Sequence, residues 1–131
     1  MTRPNLRIYV AGPYSAKDCT AHDAVRVTHQ NVQTAIRAAI ALIQKGHYPY
    51  VPHMSHYIHL ELKQDLTPEF WYAFDLEWLR CCNAIFMLPG WEKSKGAVAE
   101  LKKARAWGLR VFTSLNDVPR TTRVMIPERE A

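Results

Sequence analysis

The stretch NAIFMLPGWEKSKGAVAELKKARAWGLRVF, Asn83 to Phe112, decides the fold. It opens on an apolar run of strand length, NAIFMLP, which Pro89 and Gly90 break. A polar turn leads to Ser94, a favoured N-cap residue, and SKGAVAELKKARAWG then reads as a helix that Gly108 closes. LRVFTSL, Leu109 to Leu115, returns to strand composition. A strand, a helix and a second strand joined this closely form a parallel crossover, and such crossovers are right-handed.

The pattern extends upstream. LRIYVAG, Leu6 to Gly12, reads as a buried strand, and PYSAKD as a turn after it. Apolar residues then fall at Val32, Ala35, Ile36, Ala39, Ile40 and Ile43, the stripe of an amphipathic helix that Gly46 ends. YPYVP, Tyr48 to Pro52, is the next strand. HMSHYIHLELKQDLT is expected to be a long polar connection, of the kind that forms lids and binding loops. Thr67 caps a further helix with Pro68 in its first turn, PEFWYAFDLEWLRCC. The order β-α-β-α-β-α-β predicts an α/β fold: an open, doubly wound parallel sheet of four to five strands, flavodoxin-like (Rossmann-like), in a three-layer sandwich. The fifth element would lie around Arg123 to Ile126. Residues 1–131 are expected to form a single domain, with a C-terminal tail from about residue 115.

Composition narrows the function. The 131 residues are 48% hydrophobic and 22% charged, as in soluble globular domains. No apolar run approaches the roughly 20 residues of a membrane span. The N-terminus lacks a signal-peptide segment, so a cytoplasmic protein is expected. Cys19, Cys81 and Cys82 make neither a disulfide framework nor a zinc motif. His53, His56 and His59 recur every third residue, but no acid or cysteine completes a ligand set at the usual spacing. The trio reads as a surface turn, and no metal or cofactor is expected. A net charge of +5 suits a small anionic substrate such as a nucleotide. No basic run interleaves with aromatics, so neither a nucleic-acid polymer nor a membrane is an expected partner.

In an open α/β sheet, ligands sit at the carboxyl ends of the strands. That rule selects Gly12, Tyr14 and Ser15 after the first strand, His53 after the second, and Trp91, Ser94 and Gly96 after the third. Gly12 allows close backbone approach of a ligand, although GPYS is no dinucleotide fingerprint. Tyr9 in a buried strand reads as core, with a hydroxyl that either meets a polar neighbour or reaches a catalytic carboxylate. Asp75 is either buried with a partner or exposed, paired with Arg80 or left in water. Its neighbours Trp71, Phe74 and Trp78 read as core or as a subunit interface, and the load of Phe70, Trp71, Phe74 and Trp78 predicts at least a homodimer. Ser94 and Gly96 form either a plain cap or an anion seat at a helix start. Glu100 lies six residues beyond Ser94, about 9 Å along a helix axis, roughly the span from the 5′ end of a ribose to its anomeric carbon. Taken alone, it reads as an i, i+4 partner of a lysine, and with the sheet-end rule the site reading draws level.

RIYVAGPYSA, the Pro52-His53 pair after strand two, and FDLEWLRCCNAIFMLPGWEKSKGAVAE together resemble the nucleoside 2-deoxyribosyltransferase family, whose relatives include the nucleoside 5′-monophosphate N-glycosidases. The resemblance covers about Arg7 to Phe112, and the ordered set carries it rather than any single motif. It implies that Glu100 is the catalytic glutamate, that Asp75 lies near the leaving base, and that Tyr9 holds the glutamate. It also implies that Ser94 reads the 5′ end of the sugar and that His53 lies near the substrate. Ser94-Lys-Gly resembles the monophosphate hydrolases, where the transferases carry an acid; Lys17 is the cation nearest the strand-one loop. The implied activity is cleavage of an N-glycosidic bond in a nucleoside or its 5′-monophosphate, by hydrolysis or base transfer. Two other readings are a non-catalytic nucleotide sensor on the same fold and an interaction module built on the aromatic helix.

Overall fold

The computed structural model describes residues 4–16 and 19–121. Lys17 and the expected element at Arg123 to Ile126 lie outside the described residues. Four strands, β1 (Arg7–Ala11), β2 (Tyr48–Tyr50), β3 (Ala84–Met87) and β4 (Arg110–Phe112), form one sheet in the order β2-β1-β3-β4. All neighbours are parallel. The helices are α1 (Ala21–Gln44), α2 (Ser55–Glu61), α3 (Pro68–Leu79) and α4 (Lys95–Ala106). The expected α/β doubly wound fold is present. The chain leaves β1 toward one sheet edge and returns to β3 on its other side, so the topological switch point lies between β1 and β3, where open α/β sheets bind ligands.

Alternation along the strands divides the core into two layers. Ile8, Val10, Ala84, Phe86 and Leu88 pack with Ala35, Ala38 and Leu42 of α1. Tyr9, Ala11, Ile85 and Met87 pack with Leu79 of α3 and with Ala97, Leu101 and Ala104 of α4. The buried face of α1 is Val32, Ala35, Ala38, Ala39 and Leu42, rotated from the expected stripe, and Ile40 is exposed. Small alanines let the helix backbone approach the sheet closely, and that contact decides the face over side-chain hydrophobicity. Gly46 follows the helix in a left-handed conformation, as a C-terminal glycine should.

Two expectations change. The supposed polar connection after β2 contains a 3-10 turn, Pro52–Met54, and the short helix α2, none of whose residues is buried. The aromatic helix α3 buries only Leu79, while Phe70 and Trp78 remain exposed, so its stripe is not core within this chain. The expected tail is fastened as far as Thr121. His47 is buried; its Nδ1 accepts from the Leu6 N–H at 3.0 Å, and its Nε2 donates to the Pro119 carbonyl. Lys45 donates to the Leu115 and Val118 carbonyls at 2.6 and 3.0 Å.

Gly12 has a packing reason of its own. A Cβ there would stand 2.6 Å from the Leu88 Cβ, whereas one at Gly96 would meet nothing within 4 Å. Gly12→Ala is therefore expected to destabilise the fold by about 1–3 kcal/mol in urea unfolding. Gly96→Ala is expected to stabilise it by up to about 1 kcal/mol. Equal effects at the two positions would contradict this packing account.

Candidate active site

Tyr9 and Tyr50 are register partners on β1 and β2, so both project toward the layer of α3 and α4. The Tyr9 hydroxyl donates to Glu100 Oε2 in the second turn of α4. Glu100 is only 8% exposed, which explains why it needs such a donor. The Tyr50 hydroxyl points to Asp75 Oδ1 of α3 at 3.4 Å. The Tyr9 and Tyr50 rings stack with centroids 5.6 Å apart, and Trp78 stacks on the other face of Tyr50 at 5.4 Å. Two carboxyl groups from different helices thus meet two tyrosines from adjacent strands.

Burial governs the acidity of both carboxyls. It pushes Glu100 up to about 8; the Tyr9 hydrogen bond pulls it down, and the Asp75 charge pushes it up again. Burial pushes Asp75 up to about 7 against the pull of the Tyr50 hydroxyl. Tyr9 is raised well above the ordinary tyrosine value by burial and then by the Glu100 charge, so it serves as a hydrogen-bond donor. Two carboxyls that titrate near neutrality, in sight of each other, can divide the roles of nucleophile and proton donor.

The remaining candidates lie on the segments that follow the strands. His53 is buried rather than on a surface turn. Burial lowers its pKa, and its Nε2 lies 2.9 Å from the Pro13 carbonyl. A carbonyl only accepts, so Nε2 carries the proton, which leaves Nδ1 as a buried acceptor with no hydrogen-bond partner among the described residues. Tyr14 bonds through its hydroxyl to His56 Nδ1 at 2.8 Å, and its carbonyl accepts from Asn31 Nδ2 at 2.9 Å. The loop after β1 is thereby tied to both α2 and α1. Ser15 is exposed at a bend, and Gly12 packs against Leu88. Among the described residues no three of His, Cys, Asp or Glu converge as a metal-ligand set.

Ser94 caps α4 by accepting from the Ala97 N–H at 3.2 Å, and its own hydroxyl proton stays available for an acceptor. Gly96 is exposed in the first turn with open space where a side chain would stand. Trp91 is half-buried against the α3–α4 layer. A shallow groove lined by Lys93, Lys95, Val98 and Lys102 follows the outer face of α4, away from the buried side that carries Glu100. Of the two positions proposed for Asp75, neither is met in full: it is half-buried, and its partner is Tyr50 rather than Arg80, which lies over the Trp107 ring. Tyr50 is the site residue that sequence reading missed. Its signal was present, because it is the last residue of β2, at the carboxyl end where ligands gather.

This architecture, a parallel sheet covered by helices, is a fold shared with a solved protein. A solved 2-deoxyribosyltransferase from Bacillus psychrosaccharolyticus is similar, with a TM-score of 0.54 and 21% identity over 80% of this chain and 69% of that one. A family model described as a domain of unknown function, DUF1937, matches residues 6–115, and the chain belongs to that family. Among curated proteins none matches the chain.

The weakened acidity of Glu100 has a consequence for stability. Its pKa rises from 4.5 to about 8 on folding, so the stability it contributes is complete below pH 4.5 and is lost as pH climbs toward 8. Glu100→Gln cannot ionise. The variant is expected to match the wild type near pH 4 and to exceed it on the order of 3 kcal/mol at pH 7. Urea unfolding across this range measures the difference; a gap that does not change with pH would contradict a buried, uncharged Glu100.

Proposed function

We propose that the chain cleaves the N-glycosidic bond of a nucleoside or (deoxy)nucleoside 5′-monophosphate, by hydrolysis or base transfer through Glu100. The observation that carries this reading is the buried Glu100 carboxyl, held through one oxygen by Tyr9 and facing the influence of Asp75, whose acidity is also weakened. The fold likeness supports it, since the similar protein is named as a deoxyribosyltransferase and a biocatalyst for nucleoside synthesis.

With Oε2 held by Tyr9, Oε1 is the oxygen left to face the anomeric carbon. As the bond from C1′ to the base nitrogen breaks, its electron pair passes to the base, and the Asp75 proton neutralises that nitrogen. Glu100 bonds to C1′ from the opposite face and captures the cationic sugar as an ester. Water or a second base then attacks C1′. The ester bond breaks toward Glu100, and Asp75 takes back a proton. The 5′ end of the sugar lies at the start of α4, where free N–H groups, the Ser94 hydroxyl and the open space beside Gly96 accept an oxyanion. Gly12, Tyr14, Ser15, His53 and Trp91 form the surrounding walls.

The test is release of free base from a panel of nucleosides and their 5′-monophosphates, followed by chromatography. Wild type is expected to release base, and Glu100→Ala to lose at least about 10³-fold in rate. Unchanged release in Glu100→Ala would end the covalent reading, and tight binding without cleavage by wild type would favour a nucleotide sensor. Ser94→Asp places a charge at the helix start and is expected to lower turnover of monophosphates far more than of nucleosides. A uniform loss would remove Ser94 from phosphate recognition.

The active form needs Glu100 ionised and Asp75 protonated, the less populated of the two singly protonated states, since Asp75 titrates near 7 and Glu100 near 8. The pair titrates near 7 and 8, so kcat/KM is expected to follow a bell centred between those values. Asp75→Asn should abolish the alkaline limb, and an unaltered bell in that variant would exclude Asp75 as the acid.

A further inference from the structure

Tyr50 closes β2 and lies beside Tyr9 in the sheet. Its ring is the middle member of a stack, with Tyr9 at 5.6 Å and 29° on one face and Trp78 at 5.4 Å and 16° on the other. A ring held on both faces has little rotational freedom, so its hydroxyl is aimed by packing. That hydroxyl reaches Asp75 Oδ1 at 3.4 Å, a distance too long for a strong bond to a neutral acid. The Trp78 ring that completes the stack lies one turn beyond Asp75 on α3, so the helix that supplies the acid also clamps the tyrosine.

We propose that Tyr50 is the positioning residue for Asp75: its hydroxyl fixes Oδ1, and Oδ2 carries the proton that the departing base receives. This rests on the reading of Asp75 as the acid for base departure. In that step the C1′–N bond breaks, its electron pair goes to the base nitrogen, and the nitrogen takes the proton from Oδ2. Asp75 becomes a carboxylate. The Tyr50 hydroxyl then donates to an anion instead of a neutral acid, and the contact shortens and strengthens. A contact stronger in the charge-developed state than in the ground state raises kcat with little effect on KM.

Tyr50→Phe keeps the stacked ring and removes only the hydroxyl. It is expected to lower kcat about 10- to 100-fold while KM changes less than about twofold. The alkaline limb of the pH profile should move upward, because the carboxylate form of Asp75 loses its donor. In an Asp75→Asn background the same change should have no further effect on kcat. A tyrosine with a merely structural role would cause equal losses in both backgrounds with an unmoved limb, and that result overturns the proposal. A second readout needs no substrate. Carboxyl ¹³C NMR titration, with Asp75 assigned by its loss in Asp75→Asn, is expected to show its pKa raised in Tyr50→Phe; no shift overturns the proposal. If wild type releases no base from any compound, the functional reading falls, while this titration still decides whether Tyr50 holds Asp75.

Discussion

The bond from the Tyr9 hydroxyl to the Glu100 carboxyl is the contact on which the candidate site depends. It joins the central strand β1 to α4 across the interior of one core layer. A carboxyl this far from water is costly to ionise, and a single phenolic donor offsets only part of that cost. The remainder stays as a raised pKa, which keeps a potential nucleophile largely protonated until a substrate or a neighbouring charge alters its surroundings. Packing precision follows from the same contact. Tyr9 cannot shift without moving Tyr50, and Tyr50 cannot shift without moving Trp78 and releasing Asp75.

Much of this was legible in the sequence because it rests on local signals. The run Ala84 to Leu88, the cap at Ser94 and the glycines at 46 and 108 state a strand, a helix start and two helix ends. Once the alternation of strands and helices is read, the rule for sheet ends selects the loops to inspect. What could not be read was contact across the sheet. The place of Tyr50 at the end of β2 could be read, but its bond to Asp75 and its pairing with Tyr9, far away in the chain, could not. The face of α1 was placed only in part, for a related reason: Val32, Ala35 and Ala39 are buried as expected, and Ile40 is exposed. The stripe of larger residues was weighted by hydrophobicity, whereas the sheet selected the alanines that fit against it.

Acid–base roles depend similarly on three dimensions. Asp75 and Glu100 belong to separate helices, and their mutual influence exists only because α3 and α4 cover the same face of the sheet. His53 shows the opposite error. Its spacing with His56 and His59 suggested a surface turn, but the 3-10 turn at Pro52–Met54 carries it inward against the Pro13 carbonyl. Proline at the start of that turn fixes the backbone and directs the imidazole to the interior.

The seven-residue helix α2 contributes no buried residue to either core layer, yet its His56 anchors Tyr14 of the strand-one loop. The loop after β1 is therefore fastened by an element nearly independent of the forces that hold the domain together. Sequence drift there is cheap in folding terms but moves that loop directly. Selection, or a protein engineer, can reshape the loop through α2 while leaving the carboxyl pair and its tyrosines untouched.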